Sequence, residues 1–393
     1  MSAPLQGLTV VSLEQAVAAP LTTRHLADLG ARVIKVERPQ SGDFARYYDS
    51  TVFGQSSHFV WLNRSKESLT LDLKHPKAKE LLLRLIDGAD VFVQNLAPGA
   101  ADRLGLGGQR LLERNPRLVA CSISGFGSSG PYRDRKAYDL LIQCEAGLLS
   151  VTGTQEAPSK AGIAVADIAA GMYAFSGILT ALYRRERTGQ GGIMEISMLE
   201  ALGEWMGFPA YFTAYGGTPL ARSGGDHASI APYGPHATGD GETVFLAVQN
   251  DREWQRLCSE VIGRPEVAAD HRFVSNVERV VHRAVLRQML EDAFSGWTSE
   301  ETIRRLDAAG IACARMNTAE GFWNHPQLAA RSRWTTVASP LGMVRALLPP
   351  VSIEGAEVVM GPIPSVGEHT EHILRELGVT QAELRNLAQE QVI

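Results

Sequence analysis

Short apolar, β-branched runs alternate with amphipathic stretches through the first half of the chain. Leu8–Leu13 and Ala31–Glu37 have the composition of buried strands, and Thr22–Leu29 between them has the spacing of a helix that ends at Gly30. The same pattern predicts strands at 68–73, 91–95 and 118–124, and helices at 78–87 and 109–114. Strands that alternate with helices in this way predict an α/β fold with a parallel sheet.

A long apolar periodicity and then a change in composition mark the second half of the chain. Residues 167–188 have the spacing of a buried helix, and a strand at 194–197 and a helix from 199 to about 215 follow. Residues 216–241 are rich in Gly, Pro, His and Ser, which is typical of a linker. Beyond it, strands are predicted at 231–238, 243–249, 312–315, 335–339 and 343–348, and helices at 251–261, 279–294, 299–309, 371–377 and 381–389. This part of the pattern predicts a smaller α+β domain.

The composition narrows the classes of function. The 393 residues are 45% hydrophobic and 21% charged, and 38 Lys plus Arg against 43 Asp plus Glu leave a net charge of −5. Such a balance argues against nucleic-acid and membrane partners. The four cysteines lie far apart without a CxxC pair, so neither disulfides nor a metal site are indicated. Because no signal peptide and no apolar run near the ~20 residues of a membrane span is visible, we expect a soluble, cytoplasmic protein.

Several common cofactor and catalytic motifs are missing. The segment LEQAVAAPLTT after the first predicted strand lacks the GxGxxG spacing, so its backbone is not suited to a dinucleotide pyrophosphate. P-loop, HExxH and GxSxG patterns are also absent from the sequence. Nicotinamide, flavin, phosphoryl-transfer, metallohydrolase and serine-hydrolase interpretations therefore lose support.

Five polar residues follow predicted strands or precede predicted helices: Arg38, Lys74, Asn95, Arg103 and Lys136. Taken singly, each is typical of a solvated surface residue. Ligands of open α/β sheets bind outside the carboxyl ends of the strands, however. Five donors gathered there indicate a polyanionic ligand such as a nucleotide with an extra phosphate.

One carboxylate, Asp167, lies within a run of small and apolar residues, KAGIAVADIAAGMYA, from Lys160 to Ala174. We expect Asp167 to be the N-cap of the long helix, where backbone N–H groups and the helix dipole stabilise an anion. In low-dielectric surroundings such a group is either an inert cap or a reactive carboxylate. The residues alone leave both interpretations open.

An ordered series of segments resembles the class III CoA-transferases, a family that includes formyl-CoA transferase, carnitine CoA-transferase and α-methylacyl-CoA racemase. The segments are GLTVVSLEQAVAAPLTTRHLADLGARVIKVERPQSGDFAR, LNRSKESLTLDLKHPKAKELLLRLIDGADVFVQNLAPGAADRLGL, GFGSSGPYRDRKAYD, GIAVADIAAGMYA and GEHTEHILRELG. The resemblance implies a large nucleotide-binding-like domain (residues 1–224), a smaller α+β domain (225–325) and a C-terminal segment (326–393) that returns to the large domain. It also implies a homodimer whose ring-like chains are interlocked.

By position, the resemblance assigns site residues. Asp167 matches the catalytic aspartate of the family. The positions that match its CoA contacts are Ala16, Val17, Ala18, Arg38, Leu71, Asp72, Leu73, Lys74, Asn95, Leu96, Arg103, Lys136, Ala137 and Tyr138. The implied activity is transfer of CoA from an acyl-CoA to a carboxylic acid through an aspartyl-CoA thioester, with acyl-CoA as substrate and with neither a permanently bound cofactor nor a metal.

Departures from the family pattern bear on the substrate and on the alternatives. Val17 stands where formyl-CoA transferase has a glutamine, and SGGDHASIAPYGPH replaces its glycine-rich lid, so the sequence is more similar to members that act on succinyl-CoA and dicarboxylates. We expect Arg222 or His227 to pair with a distal carboxylate. Racemisation is the alternative within the fold, but it needs two bases, and Tyr138 stands where racemases have a histidine. A non-catalytic CoA-binding protein is the alternative outside enzymes.

Overall fold

Six parallel strands form one sheet in the order β3-β2-β1-β4-β5-β6, in a computed structural model that describes residues 2–393. The strands are β1 (Thr9–Leu13), β2 (Arg32–Glu37), β3 (Lys66–Thr70), β4 (Val91–Gln94), β5 (Val119–Ser124) and β6 (Gly192–Ser197). The predicted α/β fold with a parallel sheet is confirmed. Because β1 lies between β2 and β4, the strand order reverses there, which is where open α/β sheets bind ligands.

The alternation of side chains along the strands gives the sheet two apolar faces. Val10 pairs with Val33 and Val91, while its neighbour Val11 pairs with Ile34 and Phe92, so the two sets face opposite sides. The Val10 face packs against α1 (Ala18–Asp28) and α8 (Val165–Thr188). The Val11 face packs against α3 (Pro76–Asp87), α5 (Gly108–Arg114), α17 (Thr370–Glu376) and α18 (Gln381–Gln389). Both faces of the sheet are therefore covered, as a parallel sheet requires.

The chain divides into two compact units. The first consists of the chain up to Gly147, Ala161–Gly207 and Gln327–Ile393. Its further elements are α2 (Ser57–Leu62), α4 (Ala100–Leu104), α6 (Asp139–Glu145), α9 (Met198–Trp205) and the hairpin of β10 (Trp334–Ser339) with β11 (Gly342–Leu347). The second unit consists of Leu148–Lys160 and Phe208–Pro326. Relative to the predicted boundaries, residues 148–160 and 208–224 fall in the second unit, and the predicted domain organisation stays a prediction.

The second unit is built on a three-stranded antiparallel sheet of β7 (Tyr233–Ala237), β8 (Thr243–Ala247) and β9 (Ala312–Arg315). Its core contains buried aromatic residues, among them Trp254, Phe273 and Phe294. The helices in or beside this unit are α7 (Leu148–Val151), α10 (Gly207–Gly216), α11 (Asp251–Arg256), α12 (Asn276–Val281), α13 (Arg283–Phe294), α14 (Ser299–Ala308), α15 (Ala319–Trp323) and α16 (Pro326–Ala330).

The helix predicted from 199 to about 215 is in fact two helices, α9 and α10, with a break at Met206. Pro209 explains the break, because it lacks an N–H and its ring clashes with the carbonyl four residues earlier in a continuous helix. By length and composition, α8 is the one helix within residues 2–393 that could cross a membrane. Core helices of soluble proteins meet the same criterion, and α8 packs against α1 and α9.

Candidate active site

A cleft of about 880 Å³ lies at the carboxyl ends of the first three strands. Its walls are the segments that follow β1, β2 and β3, and the opposite side is formed by residues after β4. Of the predicted contact residues, those that line it are Arg38, Leu71, Asp72, Leu73, Lys74 and Leu96. Three strand ends that are separate in sequence thus meet at one ligand-sized cavity.

Lys79 lines the same cleft, and the sequence analysis did not single it out. Lys79 lies five residues after Lys74, in the first half of α3, which begins at Pro76. Its half-buried side chain adds a third cation to the exposed Arg38 and Lys74. The proximity of Lys79 to a predicted contact at Lys74, at the start of an amphipathic helix, is the signal that could have identified it.

Asn95 and Arg103 do not line this cleft. The Asn95 amide pairs with the backbone of Gln15: Oδ1 accepts from the N–H and Nδ2 donates to the carbonyl, each at 2.9 Å. The exposed Arg103 guanidinium lies against Gly99 and 3.5 Å from the Pro98 carbonyl. Asn95 therefore acts on the shape of the turn after β1, and Arg103 lies outside the cleft walls.

The remaining predicted contacts lie on the side of the sheet that carries α8. Val17 and Ala18 are buried at the start of α1, and Val17 belongs to a small apolar cluster that includes Ala16, Ala164 and Ile168. The turn after β1 therefore packs against the first turn of α8, close to Asp167. Lys136–Tyr138 directly precede α6 and are largely exposed.

The expectation that Asp167 is an N-cap is wrong. The long helix begins at Val165, so Asp167 is its third residue, and the cap position is occupied by Ala164 without a side-chain hydrogen bond. The acceptor is supplied by Asp139, the first residue of α6, whose Oδ1 accepts from the N–H of Ala166 at 2.8 Å and of Asp167 at 3.5 Å. Gln143 donates to the other oxygen of Asp139 at 2.6 Å. Because Asp139 accepts from these N–H groups, the carboxylate of Asp167 is not used to cap the helix.

The electrostatic setting of Asp167 is unusual for an aspartate. Burial raises its pKa, and the neighbouring Asp139 carboxylate raises it further, to about 7. No cation or hydrogen-bond donor within residues 2–393 offsets these two effects. A carboxyl group that titrates near neutral pH in a cleft or at a helix start is a candidate for catalysis.

Tyr48 is a second residue near Asp167 that the sequence analysis missed. Burial raises the pKa of its phenol to about 12, with further contributions from Asp43, Asp167 and Tyr138. Both rings remain accessible, with Tyr48 47% and Tyr138 67% exposed. The Tyr48 phenol therefore stands near both the Asp167 carboxylate and the Tyr138 phenol. Tyr48 carries no sequence signal, because its neighbours in FARYY follow no strand or helix period.

The two residues expected to pair with a distal carboxylate have other partners in the second unit. Arg222 donates to the Thr154 carbonyl at 2.7 Å and to the Gln155 carbonyl at 2.9 Å, beside a cavity of about 610 Å³. The His227 ring stacks on Tyr233, and its Nδ1 accepts from the N–H of Ser229. These contacts use Nε and Nη2 of Arg222 and Nδ1 of His227, and the pairing with a distal carboxylate stays a prediction.

Comparison with known proteins decides the family. The family model described as CoA-transferase family III matches residues 5–370. The chain belongs to this family. A succinate–glutarate CoA-transferase from Agrobacterium fabrum is 33% identical over 384 residues, 95% of this chain and 96% of that protein. An acetyl-CoA:oxalate CoA-transferase from Acetobacter aceti is 36% identical over 331 residues, 84% of this chain and 85% of that protein.

A solved structure supports the same family assignment. A CAIB/BAIF family protein from Brucella suis superimposes with a TM-score of 0.83 at 35% identity, covering 96% of this chain and all of that one. The resemblance inferred from the sequence segments is thus confirmed for this CoA-transferase family III chain. Within residues 2–393 the structure holds no group of three or more His, Cys, Asp or Glu side chains arranged to bind a metal ion.

Proposed function

We propose that this protein transfers CoA from an acyl-CoA, such as succinyl-CoA, to a dicarboxylic acid through an aspartyl-CoA thioester at Asp167. The observation that carries the proposal is the uncompensated Asp167 carboxylate at the start of α8, with a pKa near 7, packed beside the turn after β1. Such a group is ionised for a large fraction of the time at neutral pH. Its poor solvation leaves the ionised form reactive toward a thioester.

The reaction is balanced without water or a net proton. An oxygen of Asp167 attacks the donor thioester, the CoA thiolate leaves, and a mixed anhydride forms. The thiolate then attacks the Asp167 carbonyl, releases the donor carboxylate and leaves the aspartyl-CoA thioester. The acceptor carboxylate repeats these two steps in reverse order, which yields its CoA thioester and restores Asp167.

The cleft at the strand ends suits the nucleotide part of CoA. Arg38, Lys74 and Lys79 line it and present three cations to phosphate groups. Acyl-CoA is then a substrate that enters and leaves, and no permanently bound cofactor is required. Lys136–Tyr138 directly precede Asp139, the first residue of α6, which supports a role for them nearer the acyl group than the phosphates.

The relatives support a dicarboxylic acid as acceptor. Glutarate and oxalate, the acids in their names, both carry two carboxylates. Racemisation of a 2-methylacyl-CoA is disfavoured because the position before Asp139 is the exposed phenol of Tyr138, whose reference pKa near 10 makes it a poor base.

Covalent trapping tests the proposal. Incubation with succinyl-CoA but no acceptor, followed by hydroxylamine, should place a hydroxamate on Asp167 that peptide mass spectrometry detects. Asp167→Asn should lose both the adduct and turnover, because the amide cannot supply the anionic oxygen. Lys74→Ala is the matched control, expected to raise the KM for the acyl-CoA while still forming the adduct at saturating donor. Rapid α-deuterium uptake into a 2-methylacyl-CoA without any adduct would instead identify a racemase.

A homodimer is the proposed assembly. Each unit exposes large apolar side chains: Tyr211 and Tyr215 on α10 in the second, and Leu341 and Met343 in the β10–β11 hairpin of the first. Contiguous exposed apolar surface is costly in water and is typical of subunit interfaces. Interlocked chains should remain dimeric at nanomolar concentration in sedimentation velocity, and a folded monomer there would contradict the interlock.

A further inference from the structure

Side chains from other segments bind four backbone polar groups of the turn after β1. Asn95 pairs with both the N–H and the carbonyl of Gln15. The Asp43 carboxylate accepts from the N–H of Ala16 at 3.3 Å, and the Lys35 ammonium donates to the Glu14 carbonyl at 3.4 Å. A turn held by four such bonds has little freedom to change its conformation.

Two of the side chains that hold this turn, Lys35 and Asp43, belong to a buried ionic cluster that also contains Glu14 and Lys66. Lys35 donates to Asp43 at 2.8 Å and lies 3.4 Å from Glu14, and Lys66 donates to Glu14 at 2.6 Å. The four side chains are almost completely buried. Two carboxylates and two ammonium groups give a neutral cluster, which is the condition under which buried charges are tolerated.

The conformation that the cluster holds is an uncommon one. Ala16 has φ of 62°, in the left-handed region that residues with a Cβ rarely adopt. Strain of this kind persists only where surrounding contacts fix it, and it occurs often at active sites. The bond from Ala16 to Asp43 fixes it on one side, and the Gln15–Asn95 pair on the other.

Helix α1, which begins directly after this turn, packs closely against α8. Gly171 of α8 lies so close to α1 that a Cβ there would come within 2.7 Å of the Ala18 carbonyl, and Thr22 donates to the Gly171 carbonyl at 3.0 Å. Asp43 also caps the 3₁₀ turn Phe44–Tyr47, accepting from the N–H of Ala45 at 2.9 Å. The Asp43 carboxylate thus accepts from Ala16 in the turn beside Asp167 and from Ala45 in the segment that leads to Tyr48. One carboxylate holds both segments in place.

We propose that Asp43, held in place by Lys35, is a positioning residue for CoA transfer: it keeps Ala16 in the left-handed conformation and so fixes the turn against which the thioester is placed. Asp43 is among the residues that line the cleft, but its carboxylate is bound to Lys35 and to the N–H groups of Ala16 and Ala45, so neither Lys35 nor Asp43 serves as a reactant. This inference rests on the proposed function, because it concerns the geometry of that same reaction.

Two double variants separate positioning from the loss of a buried charge. Lys35→Met/Asp43→Asn and Lys35→Met/Asp43→Leu both remove the two charges and keep the side-chain volumes similar, so neither leaves an unpaired buried ion. Only the first retains an oxygen that can accept from the N–H of Ala16. Their difference therefore reports on that acceptor.

Hydrogen–deuterium exchange read by mass spectrometry should show faster exchange in the peptide that contains residues 14–17 for the Leu variant than for the Asn variant. The kcat of the Leu variant should be lower by about 100-fold, the scale of a misplacement near 1 Å, with the KM for acyl-CoA changed little. Adding Ala16→Gly should recover part of this kcat in the Leu variant, because glycine adopts a positive φ without strain. The Asp43→Leu change also removes the cap of Phe44–Tyr47. A recovery by Ala16→Gly would show that the loss of kcat comes from the turn and not from that segment.

The control is Asp28→Asn, which disrupts another buried ion cluster, with Arg24 and Arg64, in the same unit. It should lower stability and leave kcat and exchange at residues 14–17 unchanged. Equal exchange and equal kcat in the two double variants would overturn the positioning role. If the wild-type protein transferred CoA from no donor, the proposed function would be refuted. The exchange difference between the two double variants would still show whether Asp43 holds the turn.

Discussion

Two clusters of carboxylates flank the turn after β1, and they are built in opposite ways. In the buried ionic cluster, Glu14 and Asp43 are each bound by an ammonium group. Near the start of α8, the charge of Asp139 acts on Asp167, and no cation within residues 2–393 offsets it. The first arrangement lowers the free energy of the ionised form, and the second raises it.

The pKa values show this contrast. Burial alone would raise the pKa of Glu14, but Lys66 and Lys35 outweigh it and hold that pKa below its usual range. The pKa of the adjoining Glu37 is also lowered, to about 2, because Arg46 and Lys35 outweigh its burial. At Asp167 burial and Asp139 act in the same direction, and the pKa is about 7. The compensated cluster is suited to holding the backbone, and the uncompensated pair to covalent chemistry.

The largest expected effect is on the compensated side. Glu14→Gln keeps the shape of the side chain but leaves Lys66 buried without its carboxylate, 2.6 Å away in the wild type. We expect the free energy of unfolding to fall by about 3–5 kcal/mol, the usual cost of breaking a buried ion pair by removing one partner. Urea denaturation at pH 7 measures it.

The matched control is Glu390→Gln, which removes the carboxylate of an exposed ion pair with Lys77 at 2.7 Å. It should change stability little, because water already solvates both groups. If both variants lost the same stability, burial and compensation would not distinguish the two kinds of pair, and the comparison would fail.

The sequence predicted the sheet well and the clusters poorly. The strand ends at Arg38 and Lys74 could be identified because the apolar period of each strand stops there, and both line the cleft. Lys35 and Lys66 could not, because a lysine within a strand ordinarily lies at the surface. The roles of Asp139 and Asn95 were also hidden, since each depends on contact with a segment 27 or 80 residues away in sequence. Local pattern contains no information about such contacts.

A smaller effect, of opposite sign, is expected on the uncompensated side. The pKa of Asp167 is about 7 in the folded protein against 3.8 for an unperturbed aspartate, so the folded state binds the proton more tightly than the unfolded one. Below about pH 3.8 Asp167 is protonated in both states and does not change the free energy of unfolding. Between pH 3.8 and 7 it lowers that free energy increasingly, and above pH 7 the whole decrease is present.

Asp167→Asn removes that decrease, so its Tm at pH 8 should exceed that of the wild type. The rise for each kcal/mol should be smaller than the ~2–4 °C of domains of about 150–250 residues, because a chain of 393 residues unfolds with a larger entropy. Scanning calorimetry at pH 8 and pH 5 measures the two differences, and the gain should be smaller at pH 5. A variant less stable than the wild type at pH 8 would show that Asp167 is compensated after all.

The smallest expected effect concerns the part of the Asp167 pKa shift that the charge of Asp139 causes. The kcat/KM of the wild type should rise with pH through a midpoint near 7, because the ionised carboxylate is the nucleophile and kcat/KM reports the free enzyme. Asp139→Asn keeps an oxygen that can accept from the N–H of Ala166 but removes the negative charge. The midpoint should then move to lower pH yet stay above 3.8, because burial, the larger cause, is unchanged.

Stopped-flow or initial-rate measurements between pH 5 and 9 with succinyl-CoA give both profiles. An unchanged midpoint in Asp139→Asn would mean that burial alone sets the pKa of Asp167, whereas a shift to higher pH would contradict the proposed pairing of the two carboxylates.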